Sequence, residues 1–557
     1  INTNVQDKIG GISAFALEQN FVGFDDTGAT PPDPTGAVGP NHYVHAVNSA
    51  IKIFDKTGGL LAGPTSLGAF LGIGSNSGDP IILYDQLADR YFVSEFGSVN
   101  NGLAIGVSVT NDPTGAYNVY QFALDAFPDY PHYAVWHDAY YLTANKGGAN
   151  KVYAIDRDVI LDGGENPQII GFPLPGNTSN PNTVLSPEPA NLLGTSFPED
   201  APGYIVYLQD DGWSGVSFDH LNVWEIDVDF ETPANSTISS PLEIPTDPFN
   251  SYFAPFGSGD IGQPGTNQKI DMISGVISFA ANYRTFENHN SWVITFNDNI
   301  DGNPTSGVRW IELRNSSGTD WEIYQEGTYA PADGYSRFMG SAAMDAAGNI
   351  GLGFNIASPT LPAGIRYTGR FDGDALGEMT IAETTIVDGV GVQTFSNRFG
   401  DYSHLTMDPN NFSFWHTAEY FSSNNQWRTQ VASFSLSSGF ANDVGVTNIL
   451  SPVSGLLTND ENVEISVRNF GSESESNFPI ELLVDGVLIA SETFNGTIDA
   501  NEALTYTFEQ AVDLSNSGQT YSIEARTDLS GDEFIPNNSF TKEVTHLLLN
   551  DVGALEI

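Results

Sequence analysis

Apolar residues in this chain recur at every second position over short runs, and each run is closed by a tight turn, a pattern that belongs to strands and not to helices. Ile51-Lys52-Ile53-Phe54-Asp55-Lys56-Thr57-Gly58 and Ala343-Met344-Asp345-Ala346-Ala347-Gly348-Asn349-Ile350 are two such units. In both, Asp and Gly at i and i+3 bracket a hairpin, the carboxylate capping the turn and the glycine taking a positive φ. The 57 glycines, 31 prolines, 35 phenylalanines and 22 tyrosines suit many short strands, and long runs of Ala, Glu, Lys and Leu are missing. The fold class is therefore all-β. At 557 residues the chain exceeds one ordinary core.

Two regions behave differently. Near the C-terminus, Asn442-Asp443-Val444-Gly445 returns as Asn550-Asp551-Val552-Gly553, a spacing of 108 residues. Between the copies, runs through Val463, Ile480, Leu504 and Tyr521 alternate as half-buried strands, and Asp485-Gly486 is the pair a type I′ hairpin requires. This predicts a seven-strand immunoglobulin-like β-sandwich over 442–549, with 550–557 opening a second module. From 21 to 438, strand-turn-strand units recur without a fixed period, after an N-terminal extension of residues 1–20. At ~60 residues per blade they predict a roughly seven-bladed β-propeller, with a large sandwich or jelly roll as the alternative.

The stretch 442–549 resembles the adhesion-related, CARDB-like immunoglobulin domains that follow one another in bacterial surface proteins, which implies a spacer or stalk. Gly307-Val308-Arg309-Trp310-Ile311-Glu312-Leu313, Ile365-Arg366-Tyr367-Thr368-Gly369-Arg370 and Arg398-Phe399-Gly400-Asp401-Tyr402-Ser403 resemble segments of a family of secreted, sialidase-like propellers of marine Bacteroidota. Phe399 stands where that family usually has Trp. The aspartate box of sialidases, S-x-D-x-G-x-T-W, is absent, and the resemblance implies no particular activity.

Charge narrows the partners. The 69 acidic residues against 19 basic ones give a formal net charge of −50, which repels phosphate backbones and anionic lipid headgroups. Nucleic acid and membrane insertion are thus not expected, whereas a saline exterior and Ca²⁺ suit such a surface. With no cysteine there is no disulfide framework or thiolate chemistry. No apolar run reaches about 18 residues. The expected location is secreted or at the cell surface.

Three sets of residues invite a chemical reading. Eight of the twelve arginines fall between 284 and 428; Arg284, Arg337, Arg366, Arg398 and Arg428 are candidates for a clamp on the carboxylates or sulfates of an acidic glycan. The competing reading pairs each arginine with a nearby acid. The segment from Asp129 to Tyr141 offers His132 and His137 as bases and Tyr133 as an acid for a polysaccharide lyase. Strand alternation, however, puts His132 and Tyr133 on opposite faces. Asp298 and Asp301 sit in an oxygen-rich turn that could hold Ca²⁺. His42 and His45 lie three apart among prolines, a spacing that suits a zinc-binding helix and not the strand expected there. No G-x-S-x-G, Walker or H-E-x-x-H motif is present.

The expected function is the head and first stalk module of a large secreted or surface protein acting in adhesion, in recognition or as an appendage component. It would bind an extracellular glycan or cell-surface ligand and could form homo-oligomers through a larger assembly. The alternative is a lyase or glycosidase acting on acidic or sulfated glycans.

Overall fold

A computed structural model describes residues 4–256, 259–300, 305–316, 318–436, 440–500 and 502–548. It is nearly all β. The α-helices among these residues are two single turns, Leu67–Leu71 and Arg157–Leu161, and no helix is long and apolar enough to cross a membrane. The chain divides into two compact units. The first comprises residues up to Ile9, Ala16–Met379 and Glu383–Ser435; the second comprises Gly10–Phe15, Thr380–Ala382 and the chain from Leu436 onward.

In the first unit the strands form seven successive antiparallel runs, called sheets 1 to 7 in chain order. Their first strands are Thr35–Val38, Ile81–Asp85, Asp129–Val135, Glu188–Leu192, Ile277–Thr285, Ser336–Met344 and His404–Met407. Sheets 4 and 5 share hydrogen bonds where Ala190–Leu192 pairs in parallel with Ala281–Tyr283. Each first strand packs against the next, and His404–Met407 packs back against Thr35–Val38. These strands are covered on both faces, so they are buried almost end to end instead of alternating.

Sheet 7 takes its fourth strand from the other end of the chain. Gln19–Asp25 pairs antiparallel with Gln426–Ser435, matching Gln19 to Ser433 and Asp25 to Arg428. Residues 1–20, read from sequence as an extension, thus reach into this strand, and Val5–Gln6 pairs in parallel with Thr328 and Tyr329 of sheet 5. Phe21, Val38, Tyr43, Phe54, Trp415 and Val431 make one core between sheets 7 and 1, with Tyr43 and Trp415 stacked at 5.2 Å.

The turns follow their sequence signature. Asp55 Oδ1 accepts the Thr57 and Gly59 amides at 2.8 and 2.9 Å with Gly58 at φ +87°; Asp345 Oδ1 accepts those of Ala347 and Asn349, both at 2.9 Å, with Gly348 at φ +87°.

In the second unit seven strands form sheets of three and four around one core, in which Phe478 and Phe494 stack at 5.0 Å. The repeated Asn-Asp-Val-Gly has a structural cause. Asp443, fully buried, accepts a 2.7 Å bond from the Asn537 side chain; Val444 enters the core; a Cβ on Gly445 would lie 2.3 Å from the Asn537 carbonyl oxygen. The second copy, 550–557, lies outside the described residues.

All eight tryptophans lie in the first unit, so their fluorescence follows that unit alone. Trp415→Ala should cost it about 3–5 kcal/mol, seen as an earlier fluorescence transition in denaturant. Gly445→Ala should cost the second unit about 1–3 kcal/mol through overpacking, seen by calorimetry with the tryptophan transition unmoved.

Candidate functional site

The segments that lead into the first strands converge, and several do so in an unfavourable backbone conformation. Asp33, Asp79 and Tyr130 have φ of +49°, +47° and +52°; Met339 and Asp401, in sheets 6 and 7, have +50° and +69°. Left-handed backbone is costly for residues other than glycine. Asp33, Asp79 and Tyr130 each precede a proline, which ordinarily demands an extended residue. The surroundings hold these positions. Asn48 accepts the Asp79 amide at 2.8 Å, Glu95 that of Ser77 at 3.0 Å, Asn297 that of Met339 at 2.8 Å and Glu419 that of Gly400 at 2.5 Å.

This geometry turns several carboxyls toward one another. Burial, then the charges of Asp401 and Asp79, hold the Asp33 carboxyl well above the usual carboxylate range. Burial and Asp129 push Asp79 up to about 6. Burial pushes Asp401 up to about 7, against the opposing pull of Arg398, which is in contact with it. Tyr130 donates its hydroxyl to the Asp401 carbonyl at 2.9 Å, and its amide binds Asp79 Oδ2 at 3.2 Å. One oxygen of Asp33, one of Asp401 and the hydroxyl of Tyr402, all buried, have no hydrogen-bond partner. Over this cluster lies a pocket of ≈ 400 Å³, its lining including Asp129, Tyr130, Asn145, Asp271, Arg398 and Asp401.

His132 and Glu188 sit beside the cluster. They are fully buried and in contact, with the His132 ring tilted against that of Tyr130 at 4.3 Å. Burial raises Glu188, and His132 opposes that rise. Tyr133 faces the other way, against Phe92 at 5.1 Å. His137 bonds the Ala201 carbonyl at 2.8 Å and stacks on Phe197. The three candidate lyase groups are placed apart: His132 and Tyr133 point to opposite faces of one strand, and His137 lies in the turn after it.

The arginines do not converge either. Arg284 bonds the Met344 carbonyl and Asn411; Arg337, fully buried, is held by Asp333 and Glu383; Arg366 pairs with Asp388 and Arg428 with Asp25. Of the five, only Arg398 lines the pocket. A guanidinium withdrawn from water needs acceptors, which Arg337 finds in two carboxylates and Arg284 in a carbonyl and the Asn411 amide oxygen. The structure thus places one of the five candidate clamp arginines at the pocket.

The candidate calcium turn is described in part. Asp298 is a fully buried strand residue whose oxygens accept from the Asn250 amide and the Thr328 hydroxyl at 2.9 Å each, and Asp301 lies outside the described residues. Asp210, Asp211 and Asp219 do bring carboxylate oxygens within 4.8 Å of one another. Asp210 and Asp219 already accept amides from Gly212, Ser251, Asp211 and Phe249 at 2.7–2.9 Å. His42 and His45 lie in a strand; His45 is buried and bonded to the Thr35 carbonyl and the Thr429 hydroxyl, both at 2.7 Å.

Sequence reading missed the carboxyl cluster, although a signal existed: Asp33-Pro34 and Asp79-Pro80 stand just ahead of the first strands of sheets 1 and 2, and Tyr130-Pro131 falls at the start of that of sheet 3.

No family model and no curated protein matches the chain. Among solved structures, a CARDB domain from Pyrococcus furiosus is 21% identical and covers 20% of this chain and 99% of its own, with a TM-score of 0.17. A polysaccharide lyase described as an ulvan lyase is 10% identical over 82% of this chain and 92% of its own, at 0.27. A Dyadobacter fermentans protein of unknown function is 11% identical over 75% and 99%, at 0.33. At these scores none carries an argument about activity.

The raised carboxyls have a stability consequence. Because their folded values exceed the unfolded ones, ionising them costs stability as pH rises from about 4 through 7. Buried His45, His404 and His416, lowered to about 3, act oppositely, costing stability as pH falls below about 6.5. Replacing one carboxyl isolates its share: Asp401→Asn should gain about 2–3 kcal/mol relative to the parent between pH 5 and pH 8. Denaturant titration followed by tryptophan fluorescence measures the difference; a pH-independent one would refute the assignment.

Proposed function

We propose that the first unit is a closed seven-bladed β-propeller and the second an immunoglobulin-like module. Together they form the head and first stalk module of a secreted or cell-surface protein that binds an extracellular glycan through the pocket over Asp401. The succession of first-strand contacts, with the N-terminal strand completing sheet 7, supports the closed ring. Seven strands in two sheets support the module.

One observation carries the choice of recognition over catalysis. The histidine best suited to act as a base, His132, is sealed from solvent against Glu188, whereas the open pocket presents hydrogen-bonding groups and the half-buried aromatic Tyr130. A few fixed polar groups beside an aromatic face is what sugar hydroxyls and ring faces require. The pocket also opposes the acidic or sulfated substrates of the alternative reading, because Asp129, Asp271 and Asp401 line it against the single cation Arg398. In favour of an enzyme stands one feature, carboxyls with near-neutral pKa facing a cavity.

Binding of the full chain to immobilised glycans, run beside a reducing-end and unsaturated-uronate assay, separates the two. Saturable binding without turnover is expected, and Tyr130→Ala should weaken it by about tenfold or more. Turnover of any glycan would overturn the recognition reading.

A further inference from the structure

Resting on the glycan-binding reading of the same pocket, we propose that its ligand carries a primary ammonium group, as an amino sugar does, and that the ammonium seats among the carboxyls of Asp129, Asp271 and Asp401.

The charge count comes first. Asp129, Asp271 and Asp401 line the pocket, the charges of Asp79 and Asp33 act on this cluster, and among the described lining residues Arg398 is the one cation. Arg398 is in contact with Asp401, so its charge is already committed, and its side chain is 49% exposed. A carboxylate or sulfate placed here would meet uncompensated acids, while an ammonium would relieve them.

Beyond the acids, the site holds buried polar atoms with nothing to bond. The Tyr402 hydroxyl has no partner and lies among Asp79, Asp33, Tyr130 and Asp401; Tyr402 is 2% exposed. One oxygen of Asp401 is in the same condition, and both residues also line a small cavity adjoining the pocket. Buried acceptors without donors are costly, and an –NH₃⁺ supplies three donors at once. Asp33, Asp79, Tyr130 and Asp401 all hold left-handed backbone, a conformational cost of the kind that strained positions in binding sites carry. Around the charge, Asn182 and Asn397 offer amides to hydroxyls, Tyr130 and Phe256 offer ring faces, and Asn145 is bonded to Asp129 and the Leu185 amide. That surround favours a sugar over a lysine side chain, which has no hydroxyls to match.

The test is calorimetric titration of the full chain, in the presence of chelator, with a glucosamine trimer and with its N-acetylated counterpart at pH 7. Acetylation removes the charge and leaves the sugar. The amine form should bind about tenfold or more tightly than the acetylated form, and Asp129→Asn should erase most of that preference. Asp129 is exposed, so this variant keeps the fold. Arg398→Gln should tighten amine binding, the opposite of what an anion clamp predicts. Affinity should also fall at pH 5, where Asp79 and Asp401 hold protons; the other titratable groups facing them are Asp33, Asp129, Asp271, Arg398, Glu419, Tyr130 and Tyr402.

Equal binding of both trimers, unchanged in Asp129→Asn, would overturn the ammonium inference and leave glycan recognition standing. Binding of a lysine-rich peptide with no trimer bound would overturn the amino-sugar assignment. Absence of binding by both trimers, while other glycans bind, would likewise overturn this inference alone.

Discussion

Seven first strands lie side by side in the first unit, each covered on both faces by its neighbours. This packing leaves no room for alternation of inside and outside, and it favours small side chains at positions such as Gly340, Ser341, Ala342 and Ala343. It also brings the segments that feed those strands to one place. Asp33, Asp79, Tyr130 and Asp401 are distant in sequence, and they become neighbours because their strands are.

Electrostatics follows from the same arrangement. Groups gathered at the strand starts lose solvent, so their ionisation is decided by burial before it is decided by any partner. That explains how Asp401 can touch a guanidinium and still sit near neutrality, while the solvent-exposed Asp55, which accepts turn amides, is held below the usual carboxylate range. It explains the arginines as well. Arg337 is enclosed by two carboxylates that satisfy it locally, and a cation so satisfied has little left to offer a ligand.

Local features were legible in the sequence. The Asp55 and Asp345 turns form as their spacing requires, the Asp485-Gly486 pair makes its hairpin with both residues at positive φ, and the all-β class follows from period-two patterning. Alternation alone separated His132 from Tyr133. What sequence could not convey was partnership across sheets. Arg428 meets Asp25 more than 400 positions away, and nothing in either neighbourhood marks the pairing. The carboxyl cluster was half-visible as Asp-Pro and Tyr-Pro pairs at or just before the starts of successive first strands. Reading it required knowing that those strands adjoin. The segment from Arg398 to Ser403 drew notice as a family-like motif and Arg398 as a clamp candidate, whereas the buried Asp401 beside it is the residue on which the pocket's charge turns.

The pairing of Gln19–Asp25 with Gln426–Ser435 sets a schedule for how the molecule is made. The earliest strand of sheet 7 leaves the ribosome about 400 residues before its partner, which at synthesis rates of roughly 5–20 residues per second is a wait on the order of 20–80 s. For that time an apolar strand bearing Phe21 and Phe24 has no edge to join, and sheet 7 lacks its outer strand. Sheets 1 to 6 can assemble one after another, but the last step joins the two most distant parts of the unit, so its speed is governed by long-range chain closure. Conditions that keep the nascent chain extended until Ser435 is available favour the correct partner over a strand from another chain.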